Sequence, residues 1–421
     1  MRIGIDFRAM QIGHQYRGIG KVLRSACLEL AQRLPASDEV VAFFDTSGSP
    51  VAPLLASLFG PDRTTTLVAM APAAVGLQRL QRLRDSLSPA QVEVLRGACD
   101  VLVQFDFLLG VPASPPTVVV VHDQVPILLG DRYPDIYWPH YGVARRSGLP
   151  RRVAAERALR RWLYEHSLAN ALKRAAHVLV DSHHTGQTTL TFAEERAVHR
   201  LQARLTVAQL GHGPTGGAET EPNVMERTRF EALGLVDTPF IFYLGGVDDR
   251  RRIDLLVSAF NQLRASGNDL KLVLAGDSFA TVASVGVESA RRALVSSSYT
   301  HDIHLLGFVS DAERDWLYHR AEAFAFPSEY EGFGLPVLES LAAGCAVVAF
   351  DVPSLQEVCG PNCELVAADW RALAGGVERL MARTIEQKAD DAGAGIAWAA
   401  GFTWDTLGEA LTSCIDRLRS D

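Results

Sequence analysis

Along the 421-residue chain, short β-branched and aromatic runs alternate with longer stretches in which apolar positions recur at helical spacing. In the first half these runs predict strands at Arg2 to Asp6, Val40 to Phe44, Val101 to Phe105, Thr117 to Val121 and His177 to Val180. In the second half they predict strands at Phe240 to Leu244, Leu270 to Ala275, Ile303 to Leu306, Ala323 to Phe326 and Ala346 to Ala349. Alternation of strand and helix is the mark of βαβ units, so each half reads as an α/β, doubly wound parallel sheet. Ligands of such sheets bind at the carboxyl ends of strands, which directs the search for chemistry to the loops that follow them.

Between the halves lies Gly211 to Asn223, rich in Gly, Pro and polar residues and without apolar periodicity, the best candidate for a linker. This length is near the limit for one core, so two domains are expected, over residues 1–214 and 224–403. No internal repeat is strong enough to indicate a duplication.

Composition narrows the class. With 48% hydrophobic and 21% charged residues, each half can bury a core, which excludes a disordered or fibrous chain. The net charge of -8 hides an asymmetry: residues 1–210 carry 24 basic against 18 acidic residues, and residues 211–421 carry 17 against 31. No apolar run reaches the roughly 18 residues of a membrane span, and Met1 to Ile5 enter a strand directly, so a cytoplasmic location is expected. Six cysteines are too sparse for a disulfide scaffold, and the close pair Cys359 and Cys363 lacks further ligands for zinc, so reduced thiols are expected.

The most informative stretch runs from Phe326 to Gly344, FPSEYEGFGLPVLESLAAG. It reads as strand, glycine-bearing loop and helix, with Pro336 suited to a first helical turn. Free amides at the helix start, approached closely at Gly334, would cradle a diphosphate. Glu331 lies in the loop and Glu339 about one turn into the helix, a spacing that suits the two ends of a nucleotide sugar. An ordinary surface loop followed by an amphipathic helix is the alternative.

This string resembles the E-x(7)-E signature of retaining glycosyltransferase family 4, mannosyltransferase-like enzymes of the GT-B fold. The resemblance extends from the Arg17-Gly-Ile-Gly20 loop to the terminal Phe402-Thr-Trp404 helix. It implies two Rossmann-like domains facing across a cleft, with the last helix, about 404–421, returning to the N-terminal acceptor-side domain. It further implies that Glu331 contacts the donor sugar near its anomeric centre, that Glu339 binds the ribose, and that Gly334 and Leu335 hold phosphate through their backbones.

Other segments add to this. The loop Gly245-Gly-Val-Asp-Asp-Arg-Arg-Arg-Ile-Asp254 brings three arginines to a strand's carboxyl end, where fixed cations would stabilise a departing diphosphate. It resembles the family's G-T-x-x-P-R-K-N, with Arg250 on the arginine and Arg251 on the lysine. It departs from the pattern at Gly246, where many members carry arginine, and at Arg252, which replaces a common asparagine. His122-Asp123, in Val118-Val-Val-Val-His-Asp-Gln-Val-Pro126, resembles the H-D-x-x-P of mannosyl- and related transferases, which implies that His122 positions the donor sugar from across the cleft. Gly18 and Gly20 are expected to border donor phosphate and acceptor, and Val309, in Gly307-Phe-Val309, to contact the base through its backbone. Asp181-Ser182-His183-His184 follows the last strand expected in the first domain, and its adjacent histidines make a poor metal pair.

The reading is therefore a retaining, metal-independent hexosyltransferase without cofactor, GDP-mannose being the first candidate donor. Catalytic roles fall on Glu331, His122 and Arg251. Substrate binding falls on Gly18, Gly20, Asp123, Arg250, Val309, Gly334, Leu335 and Glu339. The expected acceptor is a glycan or lipid-linked hydroxyl, anionic because the first half is basic. Arg145 to Arg161, with seven arginines and one glutamate, is a candidate for contact with the inner membrane face, and Arg79, Arg82 and Arg84 add to that half's positive charge. No nucleic-acid motif is present. The rivals are a nucleotide-sugar epimerase or hydrolase of the same fold and a binding protein without turnover.

Overall fold

The computed structural model describes residues 1–11, 18–46, 48, 50–70, 87–129, 150–213, 222–360 and 363–420. Arg17, the arginines at 79, 82 and 84, residues 145–149 of the basic stretch and most of the expected linker lie outside the described residues. The chain forms two compact units, Met1–Gly211 with Thr403–Asp421, and His212–Phe402.

In the first unit seven described strands form one parallel sheet in the order β3-β2-β1-β4-β5-β6-β7. They are β1 (Arg2–Asp6), β2 (Glu39–Asp45), β3 (Thr65–Met70), β4 (Val101–Gln104), β5 (Thr117–Val121), β6 (His177–Val180) and β7 (Leu205–Val207). In the second unit β8 (Phe240–Leu244), β9 (Lys271–Ala275), β10 (Ile303–Gly307), β11 (Ala323–Phe326), β12 (Val347–Phe350) and β13 (Glu364–Val366) form a parallel sheet in the order β10-β9-β8-β11-β12-β13. Each sheet is doubly wound about its first strand, as the alternating pattern predicts.

Three strands escape the sequence pattern: β3, β7 and β13. All are sheet edges, and β7 and β13 have only three residues each. Most of β3 is exposed. An edge strand is shielded on one side only, so it need not carry the unbroken apolar run that marks a central strand such as β5, where every residue is buried. His177 to Val180 is therefore not the last strand of its unit.

The helix Trp404–Ser420 packs on the helix Gly18–Arg33 in the first unit, burying Leu407, Leu411, Cys414 and Ile415. Near its end Arg419 pairs with the buried Asp38, whose carboxylate also takes the N-terminal ammonium at 2.8 Å. In the second unit rings cross the core toward the loops: Tyr318 meets Phe324 at 5.3 Å, Phe324 stacks on Phe326 at 5.8 Å, and Phe326 stacks on Tyr243 at 6.2 Å. All six cysteines are free thiols.

Candidate active site

In the second sheet the chain runs outward from β8 through β9 to β10, then crosses to β11 on the other side of β8. The loops after β8 and β11 therefore diverge and leave a crevice at their carboxyl ends, where doubly wound sheets bind ligands. The pairing of Phe242 with Phe324 brings those two loops out side by side.

These loops meet at Glu331, a carboxylate only 7% exposed. Ser328 donates to it at 2.8 Å, Arg250 forms an ion pair with it, and Nη2 of Arg251 lies 3.3 Å from Oε1. Burial pushes the Glu331 carboxyl up, but the two guanidinium groups and Ser328 outweigh it and hold it below its ordinary value. Arg250 also donates to the carbonyl of Tyr330 at 2.5 Å, with Asp248 at 3.2 Å from its Nε. Arg251 lies over the Phe326 ring, 5.3 Å from its centre, and Tyr243 Oη stands 3.5 Å from Nη1. Burial pushes that Tyr243 hydroxyl up to about 12, so it stays protonated at neutral pH.

Arg252 behaves differently. Its φ of 40° lies in the left-handed region, which strains most side chains but which asparagine tolerates. Ion pairs to Glu329 at 2.6 Å and Asp254 at 2.9 Å hold it there. The expected phosphate-facing arginines are thus already engaged with carboxylates. Sequence reasoning missed Asp248, Ser328, Glu329 and Tyr243, although Asp248 was legible as an acid two and three residues before cations in a strand-end loop.

The helix Leu335–Ala342 starts at Gly334, whose φ of 112° a side chain would resist, and no side chain caps it. Leu335 heads that first turn, where helix geometry supplies no internal partner for an amide, and Pro336 brings no donor. Glu339, 6% exposed, accepts from Tyr318 Oη at 3.5 Å. Burial lowers Arg314, but Glu339, Asp315 and Asp311 offset this and hold it above its usual range, so Glu339 has a cation in its neighbourhood. Val309 follows β10, buried beside the exposed Phe308.

The remaining predicted residues belong to the first unit. Gly18 is exposed and Gly20 buried, both in the first turn of the helix after β1. His122 and Asp123 follow β5. Asp123 accepts from the amide of Val125 at 3.1 Å, where the short helix Val125–Leu128 begins, and its carbonyl accepts from Tyr164 at 3.0 Å. His122 Nδ1 lies 3.4 Å from Oδ2 of Asp181. Among the described residues no group of three or more His, Cys, Asp or Glu is placed to hold a metal.

Two doubly wound parallel-sheet units in one chain are the GT-B fold, and acidic residues, arginines and a glycine-started helix gather in the crevice of the second. Residues 225–394 match the family of glycosyl transferases group 1. The chain is similar to the O-antigen chain mannosyltransferase B of Escherichia coli, 38% identical over 109 residues, or 24% of this chain and 27% of that protein. It is 24% identical over 381 residues to the serotype-specific mannosyltransferase WbdA of Escherichia coli, covering 86% of this chain and 41% of that protein. The chain thus spans less than half of either curated relative. Among solved structures, HepE of Anabaena in complex with UDP and glucose superposes with a TM-score of 0.66 at 16% identity, covering 99% of this chain and all of that one, a likeness of fold. The resemblance to GT-B enzymes of mannosyltransferase type holds.

Among the described residues no helix is long and apolar enough to cross a membrane.

Proposed function

We propose that the protein is a retaining glycosyltransferase that moves a hexose from a nucleotide diphosphate sugar to a hydroxyl of a glycan or lipid-linked acceptor. The observation that carries this reading is the buried Glu331 carboxylate, gripped by Arg250 and Arg251 in the crevice, with a glycine-started helix and Glu339 directly after it. The acceptor oxygen attacks the anomeric carbon on the face of the leaving group. As that bond forms, the bond from the anomeric carbon to the diphosphate oxygen breaks. The electron pair leaves on the phosphate, which takes the acceptor's proton. Arg250 and Arg251 stabilise the charge gathering on the diphosphate, and the ionised Glu331 stabilises positive charge on the sugar. His122 positions the sugar and Glu339 takes ribose hydroxyls, while the amide of Leu335, approached at Gly334, holds phosphate. Val309 meets the base, and Gly18, Gly20 and Asp123 border the substrates. On this reading no metal is required, because arginines and a helix start supply the positive field.

The mannosyltransferase relatives make GDP-mannose the first donor to try. The excess of basic residues in the first unit favours an anionic acceptor at a cytoplasmic membrane surface, with the basic helix around Arg161 as a contact. A panel of GDP-, UDP- and dTDP-sugars, assayed for donor consumption with lipid-linked and glycan acceptors, tests the reading. Transfer from GDP-mannose to an acceptor with retained configuration is expected. Water-dependent consumption without acceptor product would establish a hydrolase, and nucleotide binding without consumption a binding protein.

A further inference from the structure

β5 and β6 are neighbours in register, Val121 opposite Val180, so the first residues past their paired ends, His122 and Asp181, stand next to each other. His122 Nδ1 lies 3.4 Å from Asp181 Oδ2. Asp181 is 3% exposed, its other carboxylate oxygen has no partner among the described residues, and the same holds for the buried Nε2 of His122.

The surroundings of the pair are poor in compensation. The chain after β5 brings His122 and Asp123, whose charges bear on the Asp181 carboxyl in opposite senses. The helix that begins at His183 is capped by Ser182, which accepts from the Thr185 amide, while Thr185 Oγ1 stands 3.5 Å from the His122 carbonyl. The helix Pro150–Arg174 contributes Tyr164, whose hydroxyl is occupied by the Asp123 carbonyl. Burial pushes the Asp181 carboxyl up to about 6, against the opposing pull of His122. A carboxylate kept buried with one oxygen idle destabilises the fold, so stability does not explain it; an imidazole to be aimed does.

We propose that Asp181 is the positioning residue of His122: its carboxylate holds the proton on Nδ1 and so presents Nε2 as an acceptor for a hydroxyl of the transferred sugar. This inference rests on the proposed transferase reading and extends it to a residue outside the family-like motifs. Asp181 itself touches no substrate. Its effect is to select one imidazole tautomer and one ring orientation, as carboxylates do for histidines that must accept with the other nitrogen.

Below about pH 6 the Asp181 carboxyl takes up a proton and no longer holds the Nδ1 proton of His122 in place, so Nε2 is no longer presented as an acceptor and turnover falls. Glu331, held below its ordinary value, gives no limb in that range. Because the folded Asp181 carboxyl titrates above its unfolded value of 3.8, its ionisation removes stability as pH rises from about 4 to 6.

The experiment compares full-length wild type, Asp181→Asn and His122→Gln in three measurements. With histidine labelled in both carbon and nitrogen, NMR at pH 8 should find the His122 signal, identified by its loss in His122→Gln, as the Nδ1-protonated tautomer in wild type and altered in Asp181→Asn. With GDP-mannose, Asp181→Asn should lower kcat by roughly tenfold to a hundredfold at unchanged donor KM and move the acid limb to lower pH. Thermal unfolding of Asp181→Asn at pH 8 should occur at or above the wild-type temperature. An Nε2-protonated His122 in wild type, or wild-type kcat and pH profile in Asp181→Asn, overturns the proposal, as does a lowered melting temperature with an unmoved pH profile. If wild type consumes no nucleotide sugar, the transferase reading fails on its own account, and the tautomer still decides whether Asp181 orients His122.

Discussion

Arg250, Arg251 and Arg252 are consecutive in sequence, yet their side chains have three different tasks. Arg250 ties Glu331 to the Tyr330 carbonyl, Arg251 bridges Glu331 and the aromatic core, and Arg252 accepts backbone strain to reach Glu329 and Asp254. Glu331→Ala is expected to lower transfer on the order of a thousandfold while nucleotide binding persists, as measured by donor turnover and calorimetric titration. Because its folded carboxyl titrates below the ordinary 4.5, the stability Glu331 adds is fully present above that pH and fades as pH falls below it. The melting-temperature gap between wild type and Glu331→Ala should therefore close in acid. Arg252→Asn trades two partly exposed ion pairs for relief at a left-handed position and should change unfolding free energy by no more than about 1 kcal/mol. Arg252→Val should cost about 1–2 kcal/mol more, measurable by urea titration.

At the scale of elements, the loops do the positioning because the strands beneath them are fixed. Gly276, after β9, has a φ of 131°, and a Cβ there would stand 2.2 Å from the carbonyl oxygen of Gly245. Gly276→Ala is expected to cost roughly 2 kcal/mol or more and, by displacing the loop that carries the arginines, to raise donor KM, checked by denaturation and steady-state kinetics. Central strands are legible in the sequence because they carry mostly buried apolar runs, whereas the edge strands Thr65–Met70, Leu205–Val207 and Glu364–Val366 lack such runs. The site is legible in the same uneven way. Glu331, Glu339 and Gly334 fall within one continuous string, whereas Asp181 lies 59 residues from His122 and meets it only through the register of β5 and β6. Sequence spacing carries no trace of that register until the sheet order is known.

For the whole molecule, regrouping the charges by unit refines the asymmetry. With the terminal helix returned to it, the first unit has 26 basic and 22 acidic residues and the second 15 and 27, so the contrast between them is +4 against -12. That helix contributes core to the first unit through side chains such as Leu411, which is fully buried. Leu411→Ala should destabilise the first unit by about 2–5 kcal/mol and leave the second largely unaffected. Calorimetry combined with limited proteolysis would detect the loss as one displaced transition and early cleavage within residues 1–211.

The terminal helix also sets an order of events during synthesis. The second unit is continuous in sequence and is complete once Phe402 has left the ribosome, whereas the first is interrupted and lacks the helix Trp404–Ser420 until those residues emerge. The unit made first is thus finished last, and until then the apolar seat for Leu407, Leu411 and Ile415 stays open. A nascent chain truncated by premature termination near residue 403 would carry a folded second unit on a first unit unable to close, a form that chaperones and proteases can recognise by that open face.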